Sequence, residues 1–347
     1  MQNRDRKLTL ANLWLAIFFL VTLGYADESE EAIEEIVVIG SSSIQSRLGE
    51  TGSSSVLYDE EIRAIGATHV NEILARVPGV WISRGSGQEH LAAIRSAVYT
   101  GAGACGEFSY LENGIPLRPA GFCNINNLFE ANTEQAQAIE VWRGPASAVL
   151  GGNALHGAIN VVTPVPDEWV FAVEGGPYDF YRTQVQGGMD IGEQKLGFSF
   201  VGTSSNGYRD ESGYGQQKLH LAHVGEVNGW TLRNTLTATL LNQETGGFVR
   251  GFDAYQKGAL RDTNPNPEAY RDAWSVRASS QLARDDWLLK PYIRRSKMRF
   301  LQHFLPGQPL EENEQSSLGL IAEKTFAFDK VDFVGGAHIE YMEGALR

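Results

Sequence analysis

The sequence predicts two structural classes in series, a small α+β domain followed by an incomplete antiparallel transmembrane β-barrel. Three observations carry this. Beyond the N-terminal leader no stretch of the 347 residues reaches the uninterrupted apolar length of a spanning helix. If the chain enters a membrane, a closed barrel is then the remaining structure that satisfies every backbone group in hydrocarbon. From Trp169 onward apolar and polar residues alternate, strand after strand. The connections between these strands alternate short and long, as in a barrel with tight turns at one end and loops at the other. A soluble β-sandwich shares the alternation but not the loop asymmetry. Charged residues make up 20% of the chain, which suits a wall in which only every second residue faces lipid.

Residues 1–26 read as a signal peptide. Arg4, Arg6 and Lys7 precede an apolar run over residues 13–23, and Gly24, Tyr25 and Ala26 end in small residues suited to cleavage. A membrane anchor is the alternative, for which the run is short. Residues 27–55 follow as an acidic leader and a loose linker rich in serine and glycine. Within it Ile36, Val37, Val38 and Ile39 form a β-branched run with no hairpin partner nearby, an extended segment waiting for another strand.

Residues 56–166 are expected to form the α+β domain. Thr68 is placed to cap a short helix with Val70, Ile73, Leu74 and Val77 on one face, and Pro78-Gly79 stops it. Val80, Trp81 and Ile82 read as a strand. Residues 108–111 and 115–117 flank Asn113-Gly114, a strong hairpin signal. Pro145 suits the first turn of a further helix, Gly151-Gly152 ends it, and residues 158–163 form a last strand.

Residues 167–347 hold about nine strands by their alternation. In the clearest, Trp230, Leu232, Leu236, Ala238 and Leu240 share one face, and Thr231, Arg233, Thr235, Thr237 and Thr239 the other. Trp274, Val276 and Ala278 stand likewise against Ser275, Arg277 and Ser279. Tight connections fall near residues 192–194, 228–229, 285–286 and 328–330. Longer ones span residues 205–215, 243–271 and 301–314. Arg294, Arg295, Lys297 and Arg299 are expected to form a basic rim at the end of an outward-running strand. Such a rim suits an anionic ligand or lipopolysaccharide phosphates, or is a plain solvated edge.

The net charge of −13 argues against nucleic acid as a partner. Cys105 and Cys123 are the only cysteines, and in an exported chain an even pair reads as a disulfide, worth about 3 kcal/mol on the chain-entropy model. With His90 they do not make a metal-site spacing, and no cofactor is expected. Gly101, Gly103 and Gly106 satisfy a dinucleotide fingerprint, but a strand rather than a helix follows.

Several segments, in order, resemble the TonB-dependent outer-membrane receptor family. They are ARVPGV at residues 75–80, LAAIRS at 91–96, ENGIP at 112–116, IEVWRGP at 139–145 and LGGNALHGAINV at 150–161. Ser96, Leu150 and His156 depart from the family's usual glycine, tyrosine and glycine. The resemblance implies a plug domain (residues 56–166) lodged in a 22-stranded barrel, of which residues 167–347 would be the N-terminal portion. It implies that Ile36, Val37, Val38 and Ile39 are the TonB box, which pairs by strand addition with periplasmic TonB and its inner-membrane energising complex. It further implies that Arg95, Glu140 and Arg143 make plug–barrel contacts and that Tyr99, Arg118 and Phe122 lie in loops touching the ligand. The expected protein is a non-enzymatic importer in the outer membrane, its N-terminus periplasmic, its ligand a ferric siderophore. Cobalamin, haem and oligosaccharides are the alternatives within the family. Asn264-Pro265-Asn266-Pro267 faintly resembles a haem-receptor motif but reads as loop chemistry. The rivals outside it are a passive porin-like channel, a surface adhesin anchored by a barrel, and a periplasmic dehydrogenase resting on the glycine motif.

Overall fold

The computed structural model describes residues 53–98, 107–120, 122, 126–146 and 150–347. All of them belong to one compact unit, Val37–Arg347. The segment Ile36 to Ile39, Tyr99, the pair Cys105 and Cys123, and the glycine motif lie outside the described residues.

The small domain is built on a five-stranded sheet. Its strands are β1 (Ser54–Tyr58), β4 (Phe108–Glu112), β5 (Ile115–Pro116), β6 (Ala138–Arg143) and β7 (Gly157–Val162), in the order β1-β6-β7-β4-β5. Only β4 and β7 run parallel. Ser54 and Ser55, read from sequence as linker, open β1, where Ser54 pairs with Trp142. β2 (Val80–Ile82) and β3 (Ala92–Ile94) form a separate two-stranded ribbon. The hairpin turn between β4 and β5 has positive φ at both Asn113 (52°) and Gly114 (77°), the backbone that an Asn-Gly pair supplies at low steric cost.

Helix α1 (Asp59–Ile65) was not legible in the sequence. The Tyr58 amide donates to Glu61 Oε2 at 3.1 Å, and Gly66 ends the helix at φ 60°. Helix α2 (Val70–Leu74) appears where the apolar spacing put it, with Val70, Ile73, Leu74 and Val77 buried. Its cap is His69 rather than Thr68. His69 Nδ1 accepts from the Asn71 amide at 3.1 Å, and Thr68 instead gives its amide and hydroxyl to Glu72. These helices cover the sheet around Ile139, Val141, Ile159 and Val161, all of which are inaccessible or nearly so.

A second sheet of nine antiparallel strands follows in sequence order, β8 (Val170–Gly176), β9 (Phe180–Ile191), β10 (Gln194–Ser205), β11 (Tyr214–Val227), β12 (Trp230–Glu244), β13 (Tyr270–Arg284), β14 (Trp287–Leu301), β15 (Leu310–Phe328) and β16 (Val331–Leu346). Tight turns join it at one end. At the other lie the short turn 177–179 and the loops 206–213, 245–269 and 302–309. The period of two sorts the faces. On β12 the odd residues Arg233, Thr235, Thr237, Thr239, Leu241 and Gln243 are buried against the small domain, while Leu240 is exposed. The same rule splits the expected basic rim. Arg294 is buried on the inner face, whereas Arg295, Lys297 and Arg299 stand outside, paired with Glu314 and Glu312 of the neighbouring strand. No helix among the described residues is long and apolar enough to cross a membrane, which says nothing of strands.

Candidate functional site

The inner face of the sheet and the small domain meet along a polar seam, and its donors come mostly from the sheet. A strand that faces a polar protein surface rather than an oily core favours donors and acceptors at every second residue, and here many of those residues are cations beside threonines, serines and glutamines. Arg182, Lys218, Arg233, Arg271, Arg277, Lys290 and Arg294 all lie on the inner face and are buried. The small domain answers with four carboxylates, Glu89, Glu112, Glu130 and Glu134, and with backbone carbonyls. Lys218 Nζ donates to both oxygens of Glu134, at 3.0 and 2.8 Å. Arg271 reaches Glu89 at 3.4 Å. Arg182 donates to the carbonyls of Ala67 and Gly66, Arg233 to that of Thr163, Arg294 to that of Pro116, and Lys290 to that of Asn113.

The centre of the seam is a buried ionic network. Arg277 Nη2 donates to Glu112 Oε2 at 2.9 Å and to the Glu130 carbonyl at 2.9 Å, and its Nη1 reaches Glu130 Oε2 at 3.3 Å. Thr237 Oγ1 donates to Glu112 at 2.8 Å, and Thr239 Oγ1 to the Glu130 carbonyl at 2.7 Å. Within the small domain Glu130 also accepts from Arg118 and from Asn127 Nδ2. With the Gln315 amide turned to suit its neighbours, its oxygen accepts from Arg118 Nη1 at 3.0 Å, which ties in β15. Two carboxylates and two guanidiniums thus neutralise one another with their hydrogen-bonding capacity largely met, the condition under which burial of charge is tolerated. Apolar contact across the seam is slight by comparison, a cluster of Phe129 with Leu241 and Ala273.

The seam continues to both ends of the wall. At the loop end Gln243 Oε1 accepts from the Gln88 amide at 2.9 Å, and Ser86 Oγ accepts from the Gly246 amide at 3.2 Å. Gly87 has φ 58°, and a Cβ there would be strained and would sit 2.6 Å from Gln243 Oε1, displacing the amide that holds Gln88. At the turn end His220 Nε2 donates to the Pro164 carbonyl at 3.0 Å, holding the segment that leads from β7 into β8.

Two buried histidines brace the small domain beneath that upper contact. His69 Nδ1 accepts from Asn71, so its Nε2 is the donor to the Glu89 carbonyl at 3.1 Å. His90 Nδ1 donates to the Gln88 carbonyl at 3.0 Å, and its Nε2 accepts from the Leu128 amide. Each ring needs one bare nitrogen and is therefore neutral. Burial pulls the two down to about 4 and about 3, helped by Arg84 for His69 and by His69 for His90.

The residues expected at the site fall differently from one another. Arg143 donates to the carbonyls of Pro78 and Ser54, both at 2.8 Å, and Arg95 donates to Ser53 Oγ at 2.9 Å. These bonds hold the start of β1 to the rest of the small domain rather than to the wall. Glu140 accepts from Asn160 Nδ2 at 2.8 Å and adds to the field at Lys290 of the wall. Arg118 is buried in the central network, and Phe122 packs against Gly344 of β16. The wall's cations were written in the sequence as basic residues on polar strand faces, Arg233 and Arg277 among them. Glu130 and Glu134 carried no signal there, because a single 3₁₀ turn (Asn127–Glu130) and the loop after it are too short for a period to mark a face.

The model of the TonB-dependent receptor plug domain matches residues 47–158. Among solved structures, the chain is similar to the unliganded ferric citrate transporter FecA, at 18% identity and a TM-score of 0.67, over 86% of this chain and 48% of that one. It is similar to the siderophore receptor PiuA from Acinetobacter baumannii at 14% identity and a TM-score of 0.66, over 85% and 46%. It is also similar to the ferric yersiniabactin uptake receptor FyuA from Yersinia pestis at 18% identity and 0.63, over 85% and 49%. The chain therefore spans about half the length of these structures, and the likeness is one of fold.

Proposed function

Taking as premise that this chain carries a TonB-dependent receptor plug domain seated against strands of the receptor's barrel, we propose that it serves energised import of a ferric siderophore across an outer membrane. The observation that carries the reading is the character of the seam. A domain held by cations on carbonyls and carboxylates can be loosened and reseated in contact with water, because each bond broken is replaced by one to solvent. An apolar seam of the same extent would resist both opening and wetting. In this reading the long loops face outward and the tight turns face the periplasm. The Ile36 to Ile39 segment adds a strand to periplasmic TonB, and pull on it reaches the small domain through β1, an edge strand of its sheet. Strain applied there opens part of the domain before the whole, since domains yield locally first. The solved relatives named for ferric citrate, siderophore and ferric yersiniabactin support an iron chelate as cargo.

The test is Val38→Pro in the full-length receptor. Proline removes one amide donor from the added strand. Uptake of radiolabelled iron chelates is expected to stop while the protein remains in the outer membrane in normal amount. Uptake at the normal rate in that variant, or uptake by the unaltered protein that survives collapse of the proton gradient, would return the molecule to a passive channel.

A further inference from the structure

The loop 83–91 joins β2 to β3 and carries three contacts from the small domain to the loop end of the wall. The Gln88 amide donates to Gln243 Oε1 at 2.9 Å, Ser86 Oγ accepts from the Gly246 amide at 3.2 Å, and Glu89 pairs with Arg271 at 3.4 Å. Histidine holds the same loop from beneath. His69 Nε2 donates to the Glu89 carbonyl and His90 Nδ1 to the Gln88 carbonyl, at 3.1 and 3.0 Å. Two of the residues that reach the wall are therefore the two that the rings grip.

The second nitrogen of each ring is an acceptor. His69 Nδ1 takes the Asn71 amide at the start of α2, and His90 Nε2 takes the Leu128 amide. A proton on either nitrogen sets N–H against N–H. Both residues are 1% exposed, so bulk solvent does not relieve the clash. The surrounding charges oppose a new cation as well. Arg84 of the loop, Lys218 of β11 and Arg271 of β13 face the pair, and Glu72, Glu134 and Glu89 are each engaged with one of those three. Tyr110 of β4 lies beside His90 with ring centroids 6.3 Å apart, Tyr214 of β11 stands next to Gln88, and His303 of the loop 302–309 faces Glu89 and Arg271.

We propose that loop 83–91 is a proton-released latch: acid frees Gln88 and Glu89 from Gln243 and Arg271 while the central Arg277 network stays closed. The proposal goes beyond the import reading and does not depend on the cargo. Its direction follows from linkage. In the closed latch burial holds His69 at about 4 and His90 at about 3, and in the open latch both titrate at the ordinary 6.5. The open form binds more protons, so the latch is fully held above pH 6.5 and loosens as the pH falls towards 4. Between pH 7 and pH 5 one ring released on opening raises the open population about twentyfold, and both together raise it on the order of several hundredfold.

The experiment is amide hydrogen exchange on the full-length protein in detergent at pH 7 and pH 5, read as protection factors corrected for intrinsic rates. The amides of Gln88, His90 and Leu128 should lose about a hundredfold or more in protection on going to pH 5. At pH 5 they should stand at least about tenfold below Val141 and Ile159 of the sheet. His69→Asn with His90→Gln keeps an acceptor at both places with no proton to gain, and should cut the loss to less than about threefold. His303→Gln should leave it within about twofold. Gln243→Leu removes a wall contact and no titrating group, so it should lower latch protection by the same factor at both pH values. Latch and sheet equally protected at pH 5 would give the titration to the whole domain and overturn the proposal. A loss that survives the double variant, or vanishes in His303→Gln, gives it to another group and overturns it too. So does Gln243→Leu without effect, since the wall would then hold nothing there. The last two variants alter the wall alone and decide the matter even where the double variant does not fold.

Discussion

Arg277 is the residue on which the seam can be tested most directly. It contacts Glu112 and Glu130 together, and it is buried with them. Arg277→Met keeps much of the side-chain volume and removes the charge, which leaves two carboxylates facing a low-dielectric wall. Breaking a buried pair by deleting one partner costs roughly 3–5 kcal/mol. The structure argues for the lower end. Glu112 keeps the Thr237 hydroxyl, and Glu130 keeps Arg118 and Asn127. About 3 kcal/mol corresponds to a factor on the order of 10² in the population of the undocked domain. Amide hydrogen exchange on the full-length protein reads this population. The amides of β4 and of the residues around Leu128 should exchange on the order of 10² faster, with those of β12 and β13 unchanged. Adding Glu112→Gln to Arg277→Met should recover part of the loss, because one stranded charge is gone. Arg84→Met, which breaks an exposed pair with Glu72, serves as the control and should change exchange less than about threefold. The reasoning fails if Arg277→Met behaves like that control. It fails equally if the domain and the wall lose protection together, since they would then be one cooperative body with no seam to open.

Two further predictions rest on different parts of the molecule. His69 and His90 are neutral when folded, held down to about 4 and about 3, against 6.5 when unfolded. The unfolded chain therefore binds more protons below pH 6.5. Their contribution is complete above that value and falls as the pH drops from 6.5 towards 3, by roughly 2 kcal/mol for each ring at pH 5. Amide protection of the small domain should decline between pH 7 and pH 5, and His69→Asn with His90→Gln should flatten that slope; an unchanged slope would show that other groups set it. Gly188→Val addresses the crossing from the small domain to the wall. A Cβ there would overlap the Pro166 carbonyl oxygen, which is backbone and cannot step aside. The variant should accumulate poorly, or do so with the segment before β8 open to added protease. Normal abundance together with protease resistance would refute the close approach.

Much of this arrangement could be read from the sequence wherever a period or a turn residue marked it. The nine strands, their inner and outer faces and the Asn113-Gly114 hairpin follow from alternation and from a backbone conformation few residue pairs adopt. Helix α2 followed from apolar spacing, although its cap did not, because His69 seldom serves as an N-cap and Thr68 often does. β1 and α1 were missed for a related reason. A serine-rich approach reads as linker, and the strand's identity comes from β6, which lies some eighty residues away in the chain. Arg294 and Arg295 show the limit most plainly. Adjacent and alike in sequence, they point to opposite faces, one to the Pro116 carbonyl within the seam and the other to Glu314 outside it. Charge clusters in strands must be halved by the period before they are given a role.

The division of labour across the seam has a mechanical consequence. The wall supplies nearly all the cations, and several of them bond to backbone carbonyls rather than to side chains. A carbonyl offers the same acceptor whichever residue carries it, so those contacts constrain where the chain runs and not what it is made of. Each is worth about 0.5–1.5 kcal/mol net, since water takes over when it opens. The central network differs, because Arg277, Glu112 and Glu130 are costly to separate while they stay dry. A pull that wets the network first converts it from the strongest contact to a set of ordinary hydrated ions. The lower contacts, such as Arg233 on Thr163 and Lys290 on Asn113, then release in small steps. In the import reading proposed above, the order of opening is set by access of water to Arg277, and the same bonds reseat the domain once the pull ends.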